Sequence, residues 1–242
     1  MFKTEFRTFS EYVIVCPMRK TSPEIGEYYH IFNRGNNKQL IFFDDWDYGR
    51  FIFLIMCLQS FLSFDNIRRY VDPIVRNRVS NTPLIKKSVV DEVAKDRYVD
   101  LVCFSLMSNH FHLIVGEKEE NGIARYMHKV LLAYTKYTNT KHEKSGHVFQ
   151  GPYKIVHIED NEQLLHLSAY IHRNPRDLHR WKNKEHLYPW SSYQDFIGTN
   201  RWGELLNTSS IHEQFESKEE YRQFVETSGA KEKDILEDVL LD

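Results

Sequence analysis

The chain has 242 residues, 41% of them apolar and 14% aromatic, enough to bury one sizeable core, so it is neither an extended acidic chain nor a small scaffold that depends on staples. Cys16, Cys57 and Cys103 are widely spaced and form no Cys-x-x-Cys pair, which excludes a zinc ribbon or a disulfide framework and fits a reducing, cytoplasmic setting. The net charge of −2 hides an asymmetry: residues 204–242 hold 11 acidic and 4 basic residues, a net of −7, leaving 28 basic and 23 acidic residues in 1–203, a net of +5.

Residues 1–20 carry Lys3, Glu5, Arg7 and Glu11 and are not expected to form a secretory signal. Residues 28–33 alternate and are rich in aromatic and branched side chains, the pattern of a first strand, which Gly35-Asn36-Asn37 breaks. Asp44 or Asp45 can cap a helix over about 46–62. Its apolar run, 51–64, is too short to cross a bilayer unaided, so it reads as a buried helix and no membrane is expected as a partner. Residues 65–97, with Pro73, Pro83 and many charges, read as an insertion with one short helix. Residues 100–106 and 111–115 are strand-like and are joined at Met107-Ser108-Asn109, a hairpin.

After Gly122, the spacing of Tyr126, Val130, Ala133 and Tyr137 predicts a helix to about residue 140. Residues 153–158 alternate again as a strand. Asp160 and Gln163 then form a capping box for a last core helix, and Pro175 is expected to end it, freeing the Asn174 side chain to turn toward a ligand. No hydrophobic βαβ repeat is present, so the order of elements predicts an α+β fold with an antiparallel sheet and packed helices. The division expected is a core over 1–203, interrupted by 65–97, and an acidic helical extension over 204–242. That extension has two readings: an acidic shield over the basic core, or a closing helix docked through Phe215, Tyr221, Phe224 and Val225.

Two pairs of residues carry chemistry. In a strand, His110 and His112 point to one face while Phe111 and Leu113 point to the other, which makes a two-imidazole clamp. On a helix, Tyr170 and Asn174 share a flank with His166, away from the Leu164, Leu167, Ser168 and Ile171 stripe. If that helix packs over the strand, four groups converge. Each piece also has a plain reading: two half-exposed imidazoles, and a core tyrosine whose hydroxyl reaches water. Around them, Arg125, Lys129, Lys136, Lys141, Lys144 and Lys154 face only Glu143 over one stretch, and Arg173, Arg176, Arg180, Lys182 and Lys184 follow Tyr170. Such clusters suit phosphate neutralisation or a solvated helix face. Tyr134, Lys136, Tyr137, His142 and Phe149 can stack bases or form a core stripe with a wet edge.

Five blocks in order then resemble the single-tyrosine HUH transposases, and more closely their REP-associated tyrosine transposase branch. They are Tyr29-His30-Ile31-Phe32-Asn33-Arg34-Gly35; Leu106-Met107-Ser108-Asn109-His110-Phe111-His112-Leu113; Gly146-His147-Val148-Phe149-Gln150-Gly151; Tyr170-Ile171-His172-Arg173-Asn174-Pro175; and Trp190-Ser191-Ser192-Tyr193. The resemblance runs from about residue 28 to 193 and implies a ferredoxin-like or RRM-like antiparallel sheet. It implies further that His110 and His112 bind a divalent ion, with Asn174 as third protein ligand and Tyr170 as nucleophile. Two departures stand out: Pro152 replaces the arginine usual after Gln150-Gly151, and 65–97 is longer than the usual connection.

The activity implied is cleavage and rejoining of single-stranded, hairpin-associated DNA through a 5′-phosphotyrosine, with Mg²⁺ or Mn²⁺. Mixed nitrogen and oxygen ligands suit Mn²⁺ and tolerate Mg²⁺ at cellular abundance, so Mg²⁺ is expected in the cell with Mn²⁺ as an effective substitute. Asn33, Arg34, Lys136, His147, Lys154 and Arg173 are the candidate DNA contacts. A second copy of the chain, as a homodimer, is admitted with the oligomeric state left open. Two other functions compete: a non-cleaving hairpin-binding regulator on the same fold, against which the intact His110, His112, Tyr170 and Asn174 argue, and a replication or mobilisation nickase, which the lack of a Gly-rich phosphate loop disfavours.

Overall fold

A computed structural model describes residues 22–228; Cys16 and residues 229–242 of the acidic tail lie outside them. The chain opens with β1 (Tyr28–Arg34), α1 (Asp45–Cys57), α2 (Arg68–Arg76) and α3 (Lys87–Lys95). The hairpin follows as β2 (Val99–Met107) and β3 (His110–Glu117), then α4 (Gly122–Lys141), β4 (Lys154–His157) and α5 (Asn161–Arg173). Three short helices close the described chain: α6 (Tyr193–Ile197), α7 (Ser209–His212) and α8 (Lys218–Thr227).

The strands form one four-stranded sheet in the order β2-β3-β1-β4, with every neighbouring pair antiparallel. Together with α1 between β1 and β2 and α4 between β3 and β4, this is the ferredoxin-like topology of the expected α+β class. The register fixes which side chains share a face. Phe32 pairs with His112, Arg34 with His110, Lys154 with Phe32 and Ser105 with His112, so these lie on one side. Ile31, Phe111 and Leu113 lie on the other, where α1 and α4 cover them: the Phe51 ring sits 5.0 Å from Phe111 and 5.0 Å from Tyr134.

Local rules hold at the helix starts. The Asp44 carboxylate accepts from the backbone N–H of Trp46 and Asp47, and Asp160 accepts from Gln163. The helix expected over 46–62 stops at Cys57. Gln59, just beyond that end, is fully buried; its amide donates to the carbonyls of Met56 in α1 and of distant Leu205, and its Oε1 accepts from Leu101 N–H. Residues 65–97 form two helices instead of one. Val71, Ile74 and Val75 bury one face of α2 on α1 at Gly49, where an added Cβ would meet Val75 at 2.7 Å.

The Trp190-Ser191-Ser192-Tyr193 block lengthens the sheet beyond β2. Trp190 O accepts from Leu106 N–H at 2.9 Å, Ser192 N–H donates to Phe104 O at 3.0 Å, and Ser191 bridges to Ser105. Leu205, Leu206, Ile211, Tyr221 and Val225 join the same buried cluster as the strands. The part of the acidic tail described here is therefore packed: α8 rests on α5 and α6.

Candidate functional site

The face of the sheet that carries His110 and His112 is partly roofed by α5. Tyr170, 7% exposed, stands with its ring edge-on to His112, centroids 5.7 Å apart at 89°. The convergence expected of strand and helix is present for these two residues, and His110 lies beside them, its ring 5.2 Å from that of His112 at 87°.

The histidines are set by neighbours on both sides. The hairpin turn is latched to the loop after β1: Ser108 O accepts from Ile41 and Phe42 N–H, and Asn109 O accepts from Gly35 N–H at 2.7 Å. Gly35 is required for that close approach, since a Cβ there would fall 2.1 Å from Gln39 O. Asn109 Oδ1 then meets His110 Nδ1 at 2.7 Å. Across the sheet, His30 Nε2 lies 2.9 Å from His112 Nδ1, with both side chains buried and their rings stacked at 13°. Each imidazole therefore has a polar partner at Nδ1, Asn109 Oδ1 for His110 and His30 Nε2 for His112.

Asn174 is placed differently from its sequence expectation. Pro175 does not force it out of the helical region; its φ and ψ are −49° and −41°, and the chain continues as the 3₁₀ turn Asn174–Asp177. Its backbone N–H goes to Ile171 O, while its Nδ2 donates to Tyr170 O at 3.2 Å. The side chain is therefore buried and tied to the backbone of the tyrosine through Nδ2, and Oδ1 is its acceptor. Among the described residues no group of three or more His, Cys, Asp or Glu is placed to hold a metal ion. Two imidazole nitrogens with an amide oxygen make a mixed nitrogen and oxygen donor set, which suits a divalent ion between the hard and soft extremes, such as Mn²⁺.

α5 itself is pinned by His172, two residues after Tyr170. This fully buried imidazole spans Tyr221 of α8, Nδ1 to Oη 2.7 Å, and Ser192, Nε2 to Oγ 2.8 Å. Burial, with a smaller contribution from His212, pushes its pKa down to about 3, so it is neutral. Ser192 Oγ accepts in turn from Phe104 N–H. A chain of hydrogen bonds therefore ties the tyrosine helix to the strand beside the histidine strand.

Of the six candidate DNA contacts, Arg34 and Lys154 share the face of the histidine pair. With Phe32, Lys38 and Gln150 they line a groove of about 280 Å³, and Lys154 Nζ sits 5.2 Å over the Phe32 ring. Phe32 in turn stacks on His112 at 5.7 Å, so the groove leads to the pair. Asn33 also lines this groove, although it is buried and its Nδ2 donates to Gly151 O at 3.2 Å, which anchors the loop. Lys136 is exposed on α4, on the opposite side of the sheet, and the exposed His147 lines a groove with His128 and Leu132 of that same helix. Arg173 lines a separate cleft with Arg176, Arg222 and Glu226. His30 was missed by sequence reasoning, although its alternation with Phe32 and Arg34 puts it on their face.

Residues 65–174 match the family model described as "Transposase IS200 like", a segment that contains His110, His112, Tyr170 and Asn174. The match supports a transposase, DNA-processing role and agrees with the resemblance to the single-tyrosine transposases. No curated protein matches the chain. Among solved structures the chain is similar to a REP-associated tyrosine transposase bound to a REP hairpin, at 14% identity and a TM-score of 0.44, over 74% of this chain and 84% of that one. No helix among the described residues is long and apolar enough to cross a membrane.

Proposed function

We propose that the chain is a metal-dependent DNA strand transferase that cuts and rejoins single-stranded, hairpin-associated DNA through a 5′-phosphotyrosine on Tyr170. The observation that carries this reading is the edge-on packing of Tyr170 against His112, on the same face as His110 and at the end of a basic groove.

The chemistry is a transesterification. The Tyr170 oxygen forms a bond to the scissile phosphorus as the bond from phosphorus to the 3′ oxygen breaks. The phenolic proton is accounted for on the departing strand, which leaves with a free 3′-hydroxyl. The bond energy of the diester is kept, so the 3′-hydroxyl of another end can reverse the step and join strands without a nucleotide triphosphate.

A phenol is a weak nucleophile, with a reference pKa near 10, so the phosphate must be polarised. Nε2 of His110 and of His112, with Oδ1 of Asn174, would hold Mg²⁺ or Mn²⁺, which supplies Lewis-acid polarisation of a non-bridging phosphate oxygen. His30 and Asn109 act through the two imidazoles by fixing their tautomer and direction. Arg34 and Lys154 neutralise phosphates on the approach, and Phe32 offers a ring on which a base can stack.

The test is incubation of the full chain with labelled single-stranded hairpin DNA and Mn²⁺. A covalent protein–DNA adduct, lost in excess EDTA, is the expected result. Stable hairpin binding with no adduct at any metal concentration would favour the regulator that grips without cutting.

A further inference from the structure

A second concave site lies in the helical layer that covers the opposite face of the sheet. It is formed by α1, α2 and α4, has a volume of about 300 Å³, and its lining includes Asp44, Trp46, Arg50, Arg68, Tyr137 and Lys141. The unusual element is the pair of arginines. The Arg50 guanidinium sits 4.9 Å over the Tyr137 ring, and that of Arg68 sits 5.3 Å over Trp46. Neither makes an ion pair or hydrogen bond with the described residues, and Arg50 Nε is buried with no acceptor.

The acids close by are already engaged. Both oxygens of Asp44 accept from Lys141 Nζ, at 2.8 and 2.7 Å, and Oδ1 also caps α1. Asp47 accepts from Lys141 Nζ at 2.7 Å and from the Tyr137 hydroxyl at 3.0 Å, and Asp45 pairs with Arg78 at 2.9 Å. The lining therefore presents three cations against one committed carboxylate, and nothing in it answers the two guanidinium groups. A buried cationic donor without an acceptor is costly, and an entering oxyanion offsets that cost. Burial also draws the Arg50 pKa below its ordinary value, which an anion at this position would reverse.

The ligand has to present an oxyanion to two guanidinium forks and a flat ring to two aromatic side chains, within about 300 Å³. A phosphorylated nucleoside does both. We propose that this pocket binds one, with its phosphate on Arg50 and Arg68 and its base against Trp46 and Tyr137, either as a free nucleotide or as one unit of a DNA strand. Arg68 belongs to α2, so that helix completes the site. The proposal is independent of the reading of Tyr170, from which the pocket is separated by the sheet.

The experiment is calorimetric titration of the full-length Tyr170→Phe protein with deoxythymidine monophosphate, inorganic phosphate and the oligonucleotide (dT)10. The nucleotide or the oligonucleotide should bind at least tenfold more tightly than phosphate, and Arg50→Gln and Arg68→Gln should each weaken that binding about tenfold. Arg68 is exposed, so its variant should melt with the wild type and keeps the test valid should Arg50→Gln misfold. Arg68-dependent binding of the oligonucleotide without binding of the mononucleotide identifies the strand as the ligand, and tight mononucleotide binding identifies the free form; either supports the site. Adding His110→Ala should leave mononucleotide binding unchanged. Binding insensitive to Arg68, no binding of either nucleotide form, or displacement by (Glu)10 as effective as by (dT)10 would overturn the assignment.

Discussion

His30 Nε2 lies 2.9 Å from His112 Nδ1, although 82 residues separate them in the chain. The contact exists because β1 is the central neighbour of β3, with Phe32 opposite His112 and His30 opposite Ile114. If His112 donates through Nδ1, its Nε2 carries the lone pair that a metal requires.

Replacing His30 with Ala should therefore raise the Mn²⁺ concentration needed for half-maximal adduct formation by roughly 10–100-fold, the usual effect of losing a partner behind a metal ligand. Hairpin binding in EDTA should change little. His30→Gln, which retains a polar end, should recover part of the loss. A metal titration curve identical to wild type would remove His30 from the metal's support.

Tyr170→Phe keeps the ring that packs on His112 and removes only the hydroxyl. Adduct formation should fall to background, while hairpin affinity stays near wild type and stability changes by about 1 kcal/mol or less. Tyr134 is no substitute: it is fully buried and donates to Ile41 O on the other side of the sheet. An adduct with this variant, mapped by peptide sequencing to another residue, would refute the assignment.

His172 gives a pH dependence with a definite sign. Its folded pKa, about 3, is below the unfolded value near 6.5, so the unfolded chain binds the extra proton between these limits. Stability contributed by the neutral imidazole is complete above pH 6.5 and falls as the pH drops, by about 1.4 kcal/mol per unit. Urea unfolding of wild type at pH 7 and pH 5 should then differ by about 2 kcal/mol more than the same pair for His172→Gln. Equal differences would show that the imidazole is not held neutral.

The acidic tail should behave as a docked element. Tyr221 of α8 is fully buried and shares hydrogen bonds with His172 at 2.7 Å and Ser168 at 3.1 Å. Tyr221→Phe should cost about 1–3 kcal/mol by leaving the His172 nitrogen unsatisfied. Deletion of residues 213–242 should lower the melting temperature and weaken single-stranded DNA binding. Tighter binding after deletion, strongest at low salt, would instead establish an acidic shield.

Much of the site was legible because its information is local. The alternation of side chains in a strand is enough to put His110 and His112 on one face, and four-residue spacing is enough to put Tyr170 and Asn174 on one flank of a helix. The caps at Asp44 and Asp160 and the break at Gly35 are likewise written in adjacent residues.

What the sequence did not determine lies in contacts between distant segments. His30 becomes a partner of His112 only through strand order and register, Gln59 is satisfied in the core only because Leu205 O and Leu101 N–H stand beside it, and Asn174 is drawn inward by Tyr170 O where a proline rule set it loose. His172 has the composition of an exposed helix terminus, yet α8 and the Trp190–Tyr193 block close over it and fix the helix that carries the tyrosine. Local pattern is set by the covalent geometry of a few neighbouring residues. The pairing of segments tens of residues apart is settled by which buried polar groups find partners and which apolar faces fit, and only the tertiary structure decides that.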